Sequence, residues 1–69
     1  MDYYVTYRPR PDLSVSAQHT LEALNAHPAP STLEEVIESC TYLAVNAELC
    51  DEAGFRKGWV HADGSYTLR

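Results

Sequence analysis

Between Pro11 and Phe55 the sequence contains no lysine and no arginine. Eight carboxylates occupy that stretch (Asp12, Glu22, Glu34, Glu35, Glu38, Glu48, Asp51 and Glu52), and all five basic residues, Arg8, Arg10, Arg56, Lys57 and Arg69, flank it. An acidic block of this kind repels phosphate and attracts basic protein surfaces. Glycine is also scarce: three residues, each needed for a turn or a cap, leave none for a phosphate-cradling loop. With no nucleophile–base pair or carboxylate dyad at a workable spacing either, and 69 residues leaving little room for a preorganised pocket, the chain is expected not to be an enzyme.

Cysteine is limited to Cys40 and Cys50, too few for a secreted disulfide scaffold. His19, His27 and His61 form no metal-ligand spacing with them, so neither a structural metal nor any other cofactor is expected. No stretch approaches the ~20 apolar residues of a membrane span, and no basic segment followed by an apolar run opens the sequence. The expected address is the cytoplasm, with both thiols reduced. A domain this small buries only roughly 60% of the surface its unfolded chain exposes, and such domains gain stability from disulfides, a metal or a second subunit. With the first two set aside, a homodimer is expected.

What is present gives a fold. Tyr3-Tyr4-Val5-Thr6-Tyr7 is β-branched and aromatic, which suits a strand, and Pro9 and Pro11 end it because proline brings no N–H to a ladder. Ser14 or Ser16 can cap a first helix whose apolar residues, Leu13, Ala17, Leu21 and Leu24, recur at spacings of three and four. Pro28 and Pro30 stop that helix. Ser31-Thr32-Leu33-Glu34 then reads as a capping box.

From Leu33 onward Val36, Ile37, Cys40, Leu43, Ala44, Ala47 and Cys50 fall on one helical stripe, and Gly54 offers a left-handed cap. The pattern predicts one long acidic helix from Thr32 to Ala53, with the two cysteines about 15 Å apart along it. Opposite the stripe lie Tyr42, Val45 and Leu49, bordered by Glu38, Glu48 and Glu52. A helix apolar on two faces has one that its own small core cannot cover, so this second face is the expected dimer or partner surface. The tail from Gly58 to Leu68 reads as a β-hairpin closed by a type I′ turn at Asp63-Gly64. In that register Trp59, His61, Tyr66 and Leu68 face the helices, and Val60, Ala62, Ser65 and Thr67 face outward. The expected architecture is α+β, in the order β-α-α-β-β, as a single domain over residues 1–69.

Two resemblances bear on function. Thr20-Leu21-Glu22-Ala23-Leu24, Ser31-Thr32-Leu33-Glu34-Glu35-Val36, Cys50-Asp51-Glu52-Ala53-Gly54-Phe55 and Asp63-Gly64-Ser65-Tyr66-Thr67-Leu68 together resemble a bacterial winged helix-turn-helix regulator. That implies DNA binding, with Arg56, Lys57 and Arg69 contacting phosphate at the wing. The implied recognition helix, Tyr42 to Ala53, carries no basic residue, whereas DNA readers place Lys, Arg, Asn or Gln there. In its length, acidic helices and tyrosine-rich edge, the whole chain also resembles small early proteins of Mu-like bacteriophages that disarm host regulators, among them an anti-activator of quorum sensing. That resemblance implies an inhibitor in the host cytoplasm that binds the DNA-binding domain of a LuxR-type activator and blocks DNA binding. The residues expected to bind the partner are Glu34, Glu38, Glu48 and Glu52 as steering charges, and Tyr42, Val45 and Leu49 as anchors.

Overall fold

The computed structural model describes residues 2–69. The chain is a small α+β domain of two helices and a five-stranded antiparallel sheet. In chain order the elements are β1 (Asp2–Arg8), α1 (Val15–Ala26), β2 (Ser31–Thr32), α2 (Leu33–Leu43), β3 (Asn46–Cys50), β4 (Arg56–Val60) and β5 (Tyr66–Leu68), with the strands arranged β2-β1-β3-β4-β5. Both helices pack on one face of the sheet. The core between the layers contains Tyr3, Val5 and Tyr7 from β1, Leu21 from α1, Val36 and Cys40 from α2, and Val45, Ala47, Leu49 and Val60.

Local chemistry explains the first half of this order. In β1 the odd residues turn inward and the even ones outward, the period-two alternation of a half-buried strand. The side chain of Ser14 accepts from the N–H of Ala17 and caps α1. The two-residue β2 pairs only with Asp2 and Tyr3, which leaves the far end of β1 without a strand on that side. There the Asn25 amide takes the place of a strand: the Tyr7 N–H donates to Asn25 Oδ1 at 2.8 Å and Asn25 Nδ2 donates to the Tyr7 carbonyl at 3.0 Å. The capping box of α2 lies one residue later than the Ser31–Glu34 pair. Glu35 N–H donates to Thr32 Oγ1, and Thr32 N–H donates back to the Glu35 carboxylate, while Ser31 is engaged in pairing with Tyr3. These bonds hold the Glu35 carboxyl below its ordinary range.

The long second helix does not form. α2 ends at Leu43, and Ala44 adopts the left-handed conformation, φ 54°, donating its N–H to the Cys40 carbonyl. The chain then enters β3, where Ala47 and Leu49 are buried between the outward-facing Asn46, Glu48 and Cys50. The helical stripe and this two-residue alternation share Ala47, so the sequence from Ala44 to Cys50 satisfies both periods. The strand is selected because it inserts between β1 and β4 and completes hydrogen-bonded ladders on both sides. Cys40 and Cys50 therefore sit on different elements, and both thiols are free.

Ala44 is the only non-glycine described residue with positive φ, a conformation that costs an L-residue roughly 1–2 kcal/mol. Ala44→Gly is therefore expected to raise stability by about 1 kcal/mol, measured by urea denaturation. In an unbroken helix the same change would lower stability by about 1 kcal/mol, so a destabilised variant would contradict the chain reversal at this residue.

Two hairpins built alike complete the sheet. In each, a five-residue span closes on itself: Asp51 N–H donates to the Phe55 carbonyl and Gly54 N–H to that of Asp51, while His61 N–H donates to the Ser65 carbonyl and Gly64 N–H to that of His61. Gly54 and Gly64 supply the positive φ, 87° and 92°. Gly54 thus takes the left-handed conformation expected of it, but in a hairpin and not at a helix end. Asp63 has no positive φ, so the turn is not type I′; it is a three-residue loop ending in a left-handed glycine. The additional loop residue shifts the register by one. Val60 pairs with Tyr66, and Gly58 with Leu68, on the helix side, whereas Trp59 pairs with Thr67 on the opposite face. The expected placement of Trp59 and His61 against the helices is corrected accordingly, since a one-residue slip exchanges the faces of a strand.

Candidate functional site

The structure separates the seven residues expected to form one partner surface into four places. Val45 and Leu49 are 0% exposed core residues, so the second apolar face on which the dimer expectation rested does not exist. Glu48 lies on the sheet face opposite the helices, and Glu52 is exposed in the β3–β4 turn. Only Glu34, Glu38 and Tyr42 remain together, on α2.

Those three follow one another at spacings of four, so they form a single ridge on the outer face of the helix. Their exposure is a consequence of the inward stripe of Val36 and Cys40, which fixes the rotation of α2 about its axis. Tyr42 is 87% exposed, the most exposed of the large apolar or aromatic side chains among the described residues. It stands at the rim of a groove of about 710 Å³ that runs between the helices past Leu13, Ala17, Leu24, Ser39 and Leu43. Neither helix carries a lysine or arginine. Among the described residues, none of the four ion pairs involves Glu34 or Glu38. Two like charges four apart on a helix disfavour it by a few tenths of a kcal/mol, and no cation on α2 offsets that cost.

The opposite surface is different. The outward face of the sheet presents Tyr4, Thr6 and Arg8 from β1, Glu48 and Cys50 from β3, and Trp59 from β4, and no element among the described residues covers it. Glu48 is at its centre, with its side chain only 20% exposed. Arg8 Nη2 approaches one carboxylate oxygen at 2.9 Å, and Arg56 Nε approaches the other at 3.2 Å. The Arg56 guanidinium also lies over the Trp59 ring, 5.5 Å from its centroid. The bonds from Arg8, then those from Arg56, hold the Glu48 carboxyl below the usual carboxylate range. These residues, with Asn46 and His61, line an open depression of about 240 Å³.

Sequence reasoning assigned Glu48 to a helical rim and did not anticipate Arg8, Arg56 and Trp59 as its neighbours. The signal that could have found them is the polar alternation Asn46-x-Glu48 against Ala47-x-Leu49, which places Glu48 across from the strands that carry Arg8 and Trp59. Neither thiol is favoured as a thiolate: burial pushes Cys40 up to about 11, and burial together with the neighbouring Glu48 carboxylate raises Cys50. No helix among the described residues is long and apolar enough to cross a membrane. Comparison with protein-family models, with curated proteins and with solved structures finds no match.

Proposed function

We propose that this chain is a non-enzymatic protein-binding inhibitor whose acidic helical layer engages a basic protein surface. One observation carries the reading: the unpaired Glu34–Glu38 ridge ends in the nearly fully exposed Tyr42, beside a groove of mixed lining to which Leu13, Ala17, Leu24 and Leu43 give an apolar part. Charges with no internal partner steer encounter, and an exposed tyrosine at the mouth of a groove supplies the apolar anchor that charge alone lacks. The basic surface that the resemblance to phage early proteins implies is the DNA-binding domain of a LuxR-type transcription activator, where a carboxylate ridge competes with phosphate for the same cations. The winged-helix alternative loses its central part, because Tyr42 to Ala53 forms a helix end, a cap, a strand and a turn. No described helix follows α2 to enter a major groove.

The test is association kinetics with the isolated DNA-binding domain of such an activator. Reversing Glu34 and Glu38 to Lys is expected to slow association by about tenfold at low salt, with little change in dissociation, and added salt is expected to slow the wild type in the same direction. A doubly reversed variant that associates as fast as wild type would sink the proposed mechanism.

A further inference from the structure

The open sheet face carries charge of the sign opposite to the helices, and nothing in the acidic-ridge reading uses it. Arg8 and Arg56 are fixed there by one carboxylate between them, and Arg56 is further held against Trp59. Each guanidinium has five N–H donors in a planar fork, and among the described residues neither makes a hydrogen bond or ion pair to any group other than Glu48. Both side chains remain well exposed, 61% and 44%. Two arginines held in place, with donors to spare, lose little rotamer freedom when a further acceptor arrives.

We infer that this face is a docking site for an extended acidic peptide segment of a partner protein, one whose carboxylate accepts from the free guanidinium donors of Arg8 and Arg56 on the solvent side of Glu48 while its backbone lies along the depression beside Trp59 and His61. Charge selects the occupant. Arg8, Arg56 and Glu48 together carry one net positive charge, which matches a single carboxylate. A nucleic-acid strand needs several phosphates neutralised for useful affinity, and the two arginines, one charge already balanced by Glu48, leave positive charge for only one anionic group. The apolar wall from Trp59 suits an aliphatic side chain next to the acid, as in a peptide that alternates the two. This site lies on the other side of the sheet from the Glu34–Glu38–Tyr42 ridge and takes a ligand of opposite charge, so either reading can fail alone.

Trp59 is the single tryptophan in the sequence and borders the site, so its fluorescence reports occupancy directly. The whole chain is titrated with a terminally blocked peptide alternating glutamate and valine, with the glutamine counterpart as neutral control and an oligothymidylate as the nucleic-acid arm. The expected result is a saturable change in Trp59 emission with the glutamate peptide alone. Arg8→Gln, which leaves Trp59 and the core untouched, is expected to weaken that binding by about tenfold. Arg56→Gln, followed through backbone amide shifts along β3 and β4, is expected to do the same, and unchanged far-UV circular dichroism establishes that both variants fold. A response to the oligothymidylate in place of the peptide overturns the proposal. So does a peptide affinity that survives in both arginine variants, or equal binding of the glutamine peptide.

Discussion

Gly58→Ala is expected to leave the protein largely unfolded at 37 °C. At this position φ is +153°, and an added Cβ would lie 2.1 Å from the Thr67 carbonyl oxygen and 3.0 Å from the Leu68 Cα, both backbone atoms of the neighbouring strand. A flexible side chain could move aside, but a strand in a hydrogen-bonded ladder cannot do so without breaking the pairing of Gly58 with Leu68. Backbone strain and overpacking each cost ~1–3 kcal/mol, so the combined loss is roughly 3–5 kcal/mol, a large part of the stability of a chain this size. Gly54→Ala serves as the control. It also places alanine at positive φ, but its Cβ has no heavy atom within 4 Å, so only about 1 kcal/mol of conformational strain is expected. Thermal melts of the two variants, followed by circular dichroism, should therefore differ widely. Equal melts would mean that the close approach of β4 and β5 at Gly58 is wrong.

Leu49→Ala is expected to be nearly as damaging, and for a reason unrelated to binding. Leu49 is fully buried on β3, opposite Val5 on one side and Gly58 on the other. Truncation there removes transfer free energy and leaves a cavity, together costing about 3 kcal/mol. For a domain of this length that corresponds to a fall in Tm of roughly 10–25 °C. Had Leu49 been an exposed interface anchor on a long helix, the same substitution would have left the melt almost unchanged and altered only partner dissociation. Differential scanning calorimetry of the variant alone separates the two, and a Tm within a few degrees of wild type would return Leu49 to the surface.

The way the charges are distributed changes how the molecule's acidity is understood. The net charge of -5 conceals two opposed surfaces. The helices carry Glu22, Glu34, Glu35 and Glu38 with no cation beside them among the described residues, whereas Glu48 is paired with two arginines on the far side of the sheet. The uninterrupted acidic run between Pro11 and Phe55 reflects this only in part, because folding carries Glu48 away from Glu34 and Glu38 and brings Arg8 and Arg56 to it from opposite ends of the run.

The sequence by itself determined what depends on neighbours along the chain. The Tyr3–Tyr7 strand, the Ser14 cap, the proline stop after α1 and the start of α2 all follow from bonds or steric limits within a few residues, and all are found, with the capping box displaced by one. The sequence placed Glu34, Glu38 and Tyr42 on a helix, which α2 bears out, but grouped Tyr42 with Val45 and Leu49, which the helix does not reach. Only the tertiary structure decided the segment from Ala44 to Cys50. Its apolar residues fit a period of 3.6 and a period of two together, and the choice rests on ladder bonds to β1 and β4, which lie about forty residues before and ten after. The same is true of β4: one additional loop residue between His61 and Ser65 decides whether Val60 or Trp59 faces the helices, and the hydrogen bonds that set that count form only when the hairpin closes. Helix caps are local and legible, whereas the face of a strand belongs to its partners.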